Sequence, residues 1–244
     1  MPDNWLLEAP SMIINPYRFV SATNPGTDEL LAYYSLEDNT DSHGGPDLTG
    51  GTEPDYTATG IIGNAADFDN ANDEYLSLSS AALSSLPSGE FSVSVWVNPD
   101  TKTTDMGFVN AWGTTTGEQN WLITYSTTLA QWRFAMRDTG GALYIIGSDS
   151  DAVTGDWTHI VCTFDASKVM RMYVNGTLQS DTDTVTNTPN TTTTSFQIGR
   201  FGNFDTVDFD GRIDEVAIWD DKTLTQSEVN YLFNSEAGRS YADL

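Results

Sequence analysis

From Asp28 to Trp219 apolar and polar positions alternate in short runs separated by clusters of Gly, Asn, Asp, Ser and Thr. A period of two puts successive side chains on opposite faces of a strand, so each run predicts a strand with one face in a core. The runs are ELLAYYSL (29–36), AADF (65–68), YLSLS (75–79), FSVSVWVNP (91–99), MGFVNAW (106–112), NWLITYS (120–126), QWRFAMRD (131–138), LYIIGS (143–148), WTHIVCTFD (157–165), VMRMYVNG (169–176), SFQIGRF (195–201) and RIDEVAIW (212–219). About a dozen strands with almost no helical periodicity predict an all-β fold, a two-sheet antiparallel jelly-roll sandwich. Asn175-Gly176 carries the signal of a tight hairpin with positive φ at both central residues, and Asp138 to Gly141 reads as a second turn. One short C-terminal helix is expected in LTQSEVNYLFN, where Thr225 can cap and Glu228 answers it three residues later.

Residues 1–27 break the pattern. Pro2, Pro10, Pro16 and Pro25 punctuate small apolar clusters, which prevents a continuous helix or a central strand. The segment is expected to be an extended anchoring arm, with 28–244 as the folded domain. Trp5, Ile13, Ile14, Tyr17, Arg18 and Phe19 are its anchoring side chains, packing either on their own domain or on another subunit.

Charge narrows the partners. The chain has 244 residues, 35 of them acidic and 10 lysine or arginine, for a formal charge of −25. That field repels phosphate backbones, so no nucleic-acid partner is expected. No basic n-region and no long apolar stretch occurs, so neither a signal peptide, a transmembrane segment nor membrane insertion is expected. Cys162, the single cysteine, lies in an apolar run and reads as a small buried hydrophobe. His43 and His159 are the only histidines, too few for a Cys/His metal cluster. No phosphate loop and no nucleophile elbow is present.

LLAYYSLEDNTDSHGGPDLTG, GIIGNAADFDNANDEYLSLS, EFSVSVWVNPD, GDWTHIVCTFDASKVMRMYVNGTLQS and FQIGRFGNFDTVDFDGRIDEVAIWDDKTLTQSEVNYLFN, taken in this order, resemble the laminin-G-like (concanavalin A-like lectin/glucanase) jelly-roll family over about residues 28–235. INPYRF in the arm is similar to openings of tailed-bacteriophage virion proteins. The glucanase resemblance implies acids on alternate residues of one strand. Around Asp214, however, Arg212 before it and the apolar Val216 to Ile218 after it stand where that pattern has its other acids, so no enzymatic activity is expected. Asp214 and Glu215 are expected on opposite faces of their strand. The resemblance also implies one structural calcium ion, with Asp38, Asp69 and Asp214 as ligands. The alternative for Asp214 is a pairing with Arg212 or Arg200, or acceptance of backbone N–H bonds.

Lectin-like members hold ligands at the sandwich edge or on the concave sheet. That implies Trp112, Trp121, Tyr125, Trp132 and Tyr144 as glycan-facing aromatics, with core packing as the alternative, and Trp96, Trp157 and Trp219 as core. The loop FGNFDTVDFDG (201–211) is a binding loop, a cation loop or a buried plug. Together these features predict a non-enzymatic bacteriophage virion protein, a capsid decoration or fibre-like adhesion module. It would join a capsid or tail protein through residues 1–27, assemble in the host cytoplasm as a homo-oligomer, and bind a host surface glycan. A stand-alone carbohydrate-binding module is the alternative, with a glycoside hydrolase behind it.

Overall fold

A computed structural model describes residues 22–79, 89–192, 195–202 and 208–244. The arm residues Trp5, Ile13, Ile14, Tyr17, Arg18 and Phe19 lie outside the described residues, as does the stretch 203–207 of the 201–211 loop. The strands are β1 (Leu30–Tyr34), β2 (Thr49–Gly50), β3 (Asp55–Thr59), β4 (Asn64–Phe68), β5 (Leu76–Ser79), β6 (Phe91–Pro99), β7 (Met106–Trp112), β8 (Gln119–Ser126), β9 (Gln131–Arg137), β10 (Leu143–Gly147), β11 (Thr158–Phe164), β12 (Val169–Val174), β13 (Thr177–Leu178), β14 (Asp183–Thr184), β15 (Ser195–Ile198) and β16 (Gly211–Asp220). The larger sheet runs β13-β12-β11-β6-β16-β4-β3, with β1 also on β16 and β14 on β12. The smaller runs β10-β9-β8-β7-β15-β5-β2. Neighbouring strands are antiparallel, as in the expected jelly-roll sandwich.

Alternation builds the core. Val93, Val95 and Val97 of β6 and Ile160 and Cys162 of β11 face Trp121, Ile123 and Tyr125 of β8 and Trp132, Phe134 and Met136 of β9 in one buried cluster. Aromatic contacts tie it together, with Phe108 and Trp132 rings 5.2 Å apart edge to face and Phe91 and Trp121 6.0 Å apart.

β6 and β11 are buried on both faces because the C-terminal segment covers the larger sheet from outside. Helix α1 (Gln226–Phe233) sets Val229 and Leu232 against Leu30, Tyr33, Val161, Tyr173, Ala217 and Trp219. Its capping box is the expected one: the Thr225 hydroxyl accepts the Glu228 N–H, and the Glu228 carboxylate accepts the Thr225 N–H at 2.8 Å. Asn234 at φ 48 ends it.

The end of the expected arm belongs to this folded body. Thr23 N–H donates to Ser227 O (3.2 Å), Asn24 Nδ2 to Asp243 O (2.9 Å) and Trp219 Nε1 to Gly26 O (3.3 Å). Thr23 to Gly26, assigned to the arm by the sequence, are thus bonded to β16 and the C-terminal segment. The Asn175-Gly176 hairpin joins β12 to β13 with φ of 47 and 75, as its chemistry requires.

Candidate functional site

Strict alternation fails at Asp214 and Glu215. The register of β16 against β6 shifts between Asp214 and Ala217, a bulge with Glu215 in the left-handed region at φ 50. Both carboxyls consequently lie on the outer side of the larger sheet, not on opposite faces: Asp214 is opposite Trp96, and Glu215 meets Tyr33.

Asp214 is fully buried. Its Oδ2 accepts N–H bonds from Ile61 (2.8 Å) and Ile62 (3.2 Å), and its Oδ1 accepts one from Glu215 (2.9 Å). Burial pushes its pKa up to about 8, opposed by these three donors and assisted by the Glu37 charge. Burial likewise raises Glu215 to about 8, with the Asp243 charge adding to it. The Tyr33 hydroxyl meets both the Glu215 carboxyl and the Arg239 carbonyl (3.0 Å). One hydroxyl hydrogen cannot serve two acceptors. A protonated Glu215 resolves this by donating to the Tyr33 oxygen while Tyr33 donates to Arg239.

What Asp214 does is hold a loop. Its two bonds to Ile61 and Ile62 fix the turn between β3 and β4, which Gly60 N–H closes onto Gly63 O at 3.1 Å. Gly60 is required there, since a Cβ would stand 2.4 Å from Asn64 O and 2.5 Å from Asp214 Oδ2. The pinned turn carries Ile61 into the wall of an open groove of about 430 Å³ beside the C-terminal cap.

Trp96, Trp157, Val153, Asp156, Thr158, Asn175 and Glu236 complete that groove. Trp157 was expected in the core, but β11 begins at Thr158, which leaves Trp157 half-buried on the preceding loop. Arg212, outside the groove lining, backs the Trp157 ring at 5.7 Å. Val153 is 57% exposed at the rim. The Asn175 side-chain oxygen accepts the His159 N–H (2.8 Å), which leaves its NH₂ for other acceptors. Trp96 forms the floor, stacked with His159 (4.8 Å) and Phe233 (5.9 Å). His159 is structural as expected: its Nε2 meets Ser94 Oγ at 2.8 Å, and burial lowers its pKa to about 3. The groove thus offers one aromatic face, an aliphatic rim and separate donors and acceptors, the chemistry that a sugar ring with an apolar face and peripheral hydroxyls requires.

The expected glycan-facing aromatics divide. Trp121, Tyr125 and Trp132 point into the inter-sheet core, where no sugar reaches them. Tyr144 packs against that core, and its hydroxyl donates to Asp138 Oδ2 (3.0 Å). Only Trp112 lies on the outer face of the smaller sheet, with Leu122 and Ala135. The three expected calcium ligands are each engaged separately. Asp38 accepts from the Thr40 N–H and hydroxyl, Asp69 caps the turn Asn70–Asn72, and Asp214 holds the β3–β4 turn. Among the described residues no three His, Cys, Asp or Glu side chains are grouped to hold a metal ion. In the 201–211 loop, Phe209 is buried against Phe108 at 5.1 Å, and Asp208 pairs with Arg200 at 2.9 Å, so its described end is a plug.

The family described as Concanavalin A-like lectin/glucanases superfamily matches residues 70–230. The chain belongs to this family. No curated protein matches it. Among solved structures, the binding domain of Paraclostridial Mosquitocidal Protein 1 is similar at a TM-score of 0.66 and 19% identity, over 86% of this chain and 52% of that one. The botulinum neurotoxin serotype D ligand-binding domain, in complex with N-acetylneuraminic acid, is similar at 0.65 and 15%, over 86% and 51%. Domain 4 of AbnA, a GH43 extracellular arabinanase from Geobacillus stearothermophilus in complex with arabinotriose, is similar at 0.58 and 24%, over 82% and 96%. The family member thus spans about half of each toxin domain and nearly all of the arabinanase domain. No helix among the described residues is long and apolar enough to cross a membrane.

Proposed function

We propose that this protein is a non-enzymatic carbohydrate-binding module whose ligand, a neutral sugar, lies in the groove beside Trp157. The observation that carries this reading is the half-buried Trp157 in an open groove that also presents Asn175, Asp156 and Glu236. The arabinotriose complex of a domain that this chain covers almost whole supports it. The same geometry gives Asp214 and Glu215 no part in hydrolysis. Asp214 and Glu215 are the strongly perturbed carboxyls, yet both are locked in internal hydrogen bonds and neither lines the groove. A glycosidase needs two carboxyls facing the scissile bond, a role these two buried acids do not fill, and Asp156 and Glu236, which do line the groove, are read as acceptors for sugar hydroxyls.

The test is isothermal titration with neutral pentose and hexose oligosaccharides. Trp157→Ala is expected to weaken binding by roughly thirtyfold, the order of a central aromatic anchor. Trp112→Ala should leave it unchanged. A wild-type protein that binds none of these sugars would remove the reading.

The module would be displayed on a bacteriophage particle, assembled in the host cytoplasm as a homo-oligomer and held on a capsid or tail protein through residues 1–21. Support for this comes from the proline-punctuated apolar clusters of that segment. Because Thr23 and Asn24 are bonded to the C-terminal segment and Gly26 to Trp219 of β16, the informative deletion stops at Ser21. A chain beginning at Ala22 is expected to stay folded and to lose both self-association and entry into particles; undiminished entry would refute the anchoring role.

A further inference from the structure

The outer face of the smaller sheet holds a second concavity, unrelated to the groove. Trp112, Leu122 and Ala135 form a small apolar cluster there, with Ile145 and Phe201 packed on it, around a pocket of about 120 Å³. Leu143, 44% exposed, stands at its rim. Arg133 also lines the pocket, two residues before Ala135 on β9 and so on the same face.

Arg133 is exceptional for its lack of partners. Every other described lysine or arginine is engaged: Lys102 with Asp151, Lys168 with Thr186 O, Arg171 with Asp165, Arg200 with Asp73 and Asp208, Lys222 with Glu29 and Glu228, Arg212 with Thr59 O and Arg239 with Asn234. Arg137, two positions further along β9, bonds the neutral Gln119 Oε1 and Gly141 O, and its guanidinium lies 5.8 Å from the Trp112 ring. In a chain of charge −25 this face keeps two guanidinium groups without a carboxylate. The one acid in the lining, Asp105, accepts the Thr127 N–H and hydroxyl, both at 2.8 Å. Its charge disfavours an anion beside it and leaves Arg133 as the place for one.

A guanidinium fork matches a carboxylate in two parallel hydrogen bonds, and these strengthen beside apolar walls that exclude water. The pocket admits an acetyl-sized group rather than a whole sugar ring. We propose that this face is a second ligand site, for a carboxylate borne beside a compact apolar substituent, the chemistry of an N-acetylated acidic sugar. Arg133 holds the carboxylate, and Trp112, Leu122 and Ala135 receive the acetyl methyl. The proposal does not rest on the groove reading.

The full chain can be titrated while the Trp112 indole N–H resonance is followed. The probes are N-acetylmuramic acid, N-acetylneuraminic acid, N-acetylglucosamine, which has the acetyl group without the carboxylate, and glucuronic acid, which has the reverse. One or both N-acetylated acids are expected to shift the Trp112 resonance, and the tighter of the two names the source. The two half-matched sugars should bind about tenfold more weakly or worse. Arg133→Gln should abolish the shift, Arg133→Lys should weaken it, and Leu143→Glu at the exposed rim should weaken it without touching the pocket floor. Failure of both acids to shift Trp112, equal binding by N-acetylglucosamine, or undiminished binding in Arg133→Gln would each overturn the proposal. So would loss of acid binding in Trp157→Ala, which would move the ligand to the groove.

Discussion

At the scale of single residues, the buried carboxyls give stability a definite pH dependence. Asp214 and Glu215 have folded pKa values raised to about 8, so between about pH 4 and pH 8 the native state keeps protons that the unfolded chain has released. Stability therefore falls as pH rises through that window, and it is fully present only below the unfolded values. Glu215→Gln removes one titration and keeps a donor for the Tyr33 oxygen. Its urea midpoint should decline less than that of the wild type between pH 5 and pH 8.5, and parallel declines would show that Glu215 is ionised throughout. The sequence marked both acids as unusual because they interrupt an apolar run, but their neighbours are distant in the chain and could not be read from it. Alternation also left a two-fold ambiguity. It says that Trp121, Tyr125 and Trp132 share a parity, yet with Trp112, Leu122 and Ala135 on the other side, both faces of the smaller sheet carry apolar residues. Trp157 escaped for a different reason: a strand boundary misplaced by one residue converts a groove-lining ring into an apparent core position.

At the scale of elements, the legible strands were those with a buried face and the missed ones were polar. β3, DYTAT, is an edge strand with alternating exposure whose one large side chain, Tyr56, packs on the core, and a single aromatic among Asp, Thr and Ala does not exceed the signal of a loop. It matters nonetheless, because the β3–β4 turn is the groove wall that Asp214 secures. Gly60→Ala is expected to destabilise the protein by about 1–3 kcal/mol, the usual cost of forcing an atom into a packed site, since the new Cβ would clash with Asn64 O and Asp214 Oδ2. Sugar binding should weaken with it as Ile61 moves. Gly117→Ala, with nothing within 4 Å of its Cβ, serves as the control and should stay within about 0.5 kcal/mol of wild type. A Gly60→Ala protein that melts with the control and binds as the wild type does would mean that the turn relaxes freely and that Asp214 does not set the groove.

Over the whole molecule, charge is the dominant long-range term. A formal charge of −25 on 244 residues makes the compact state repel itself, and added salt shortens the Debye length from about 10 Å at 0.1 M to about 3 Å at 1 M. Melting temperature should therefore rise with sodium chloride. Divalent cations should raise it further, and the comparison between them separates screening from a site. The acids at Asp38, Asp69 and Asp214 have separate hydrogen-bond partners, and the bonds that occupy Asp214 come from backbone amides rather than from groups a cation could displace cheaply. Calcium needs six to eight oxygens gathered at one point, and a bound ion would stabilise the native state by mass action. The expected result is that calcium and magnesium at equal ionic strength raise the melting temperature alike. A rise specific to calcium, reversed by a chelator and lost in Asp38→Asn, would overturn this and establish the calcium site that the family resemblance implies.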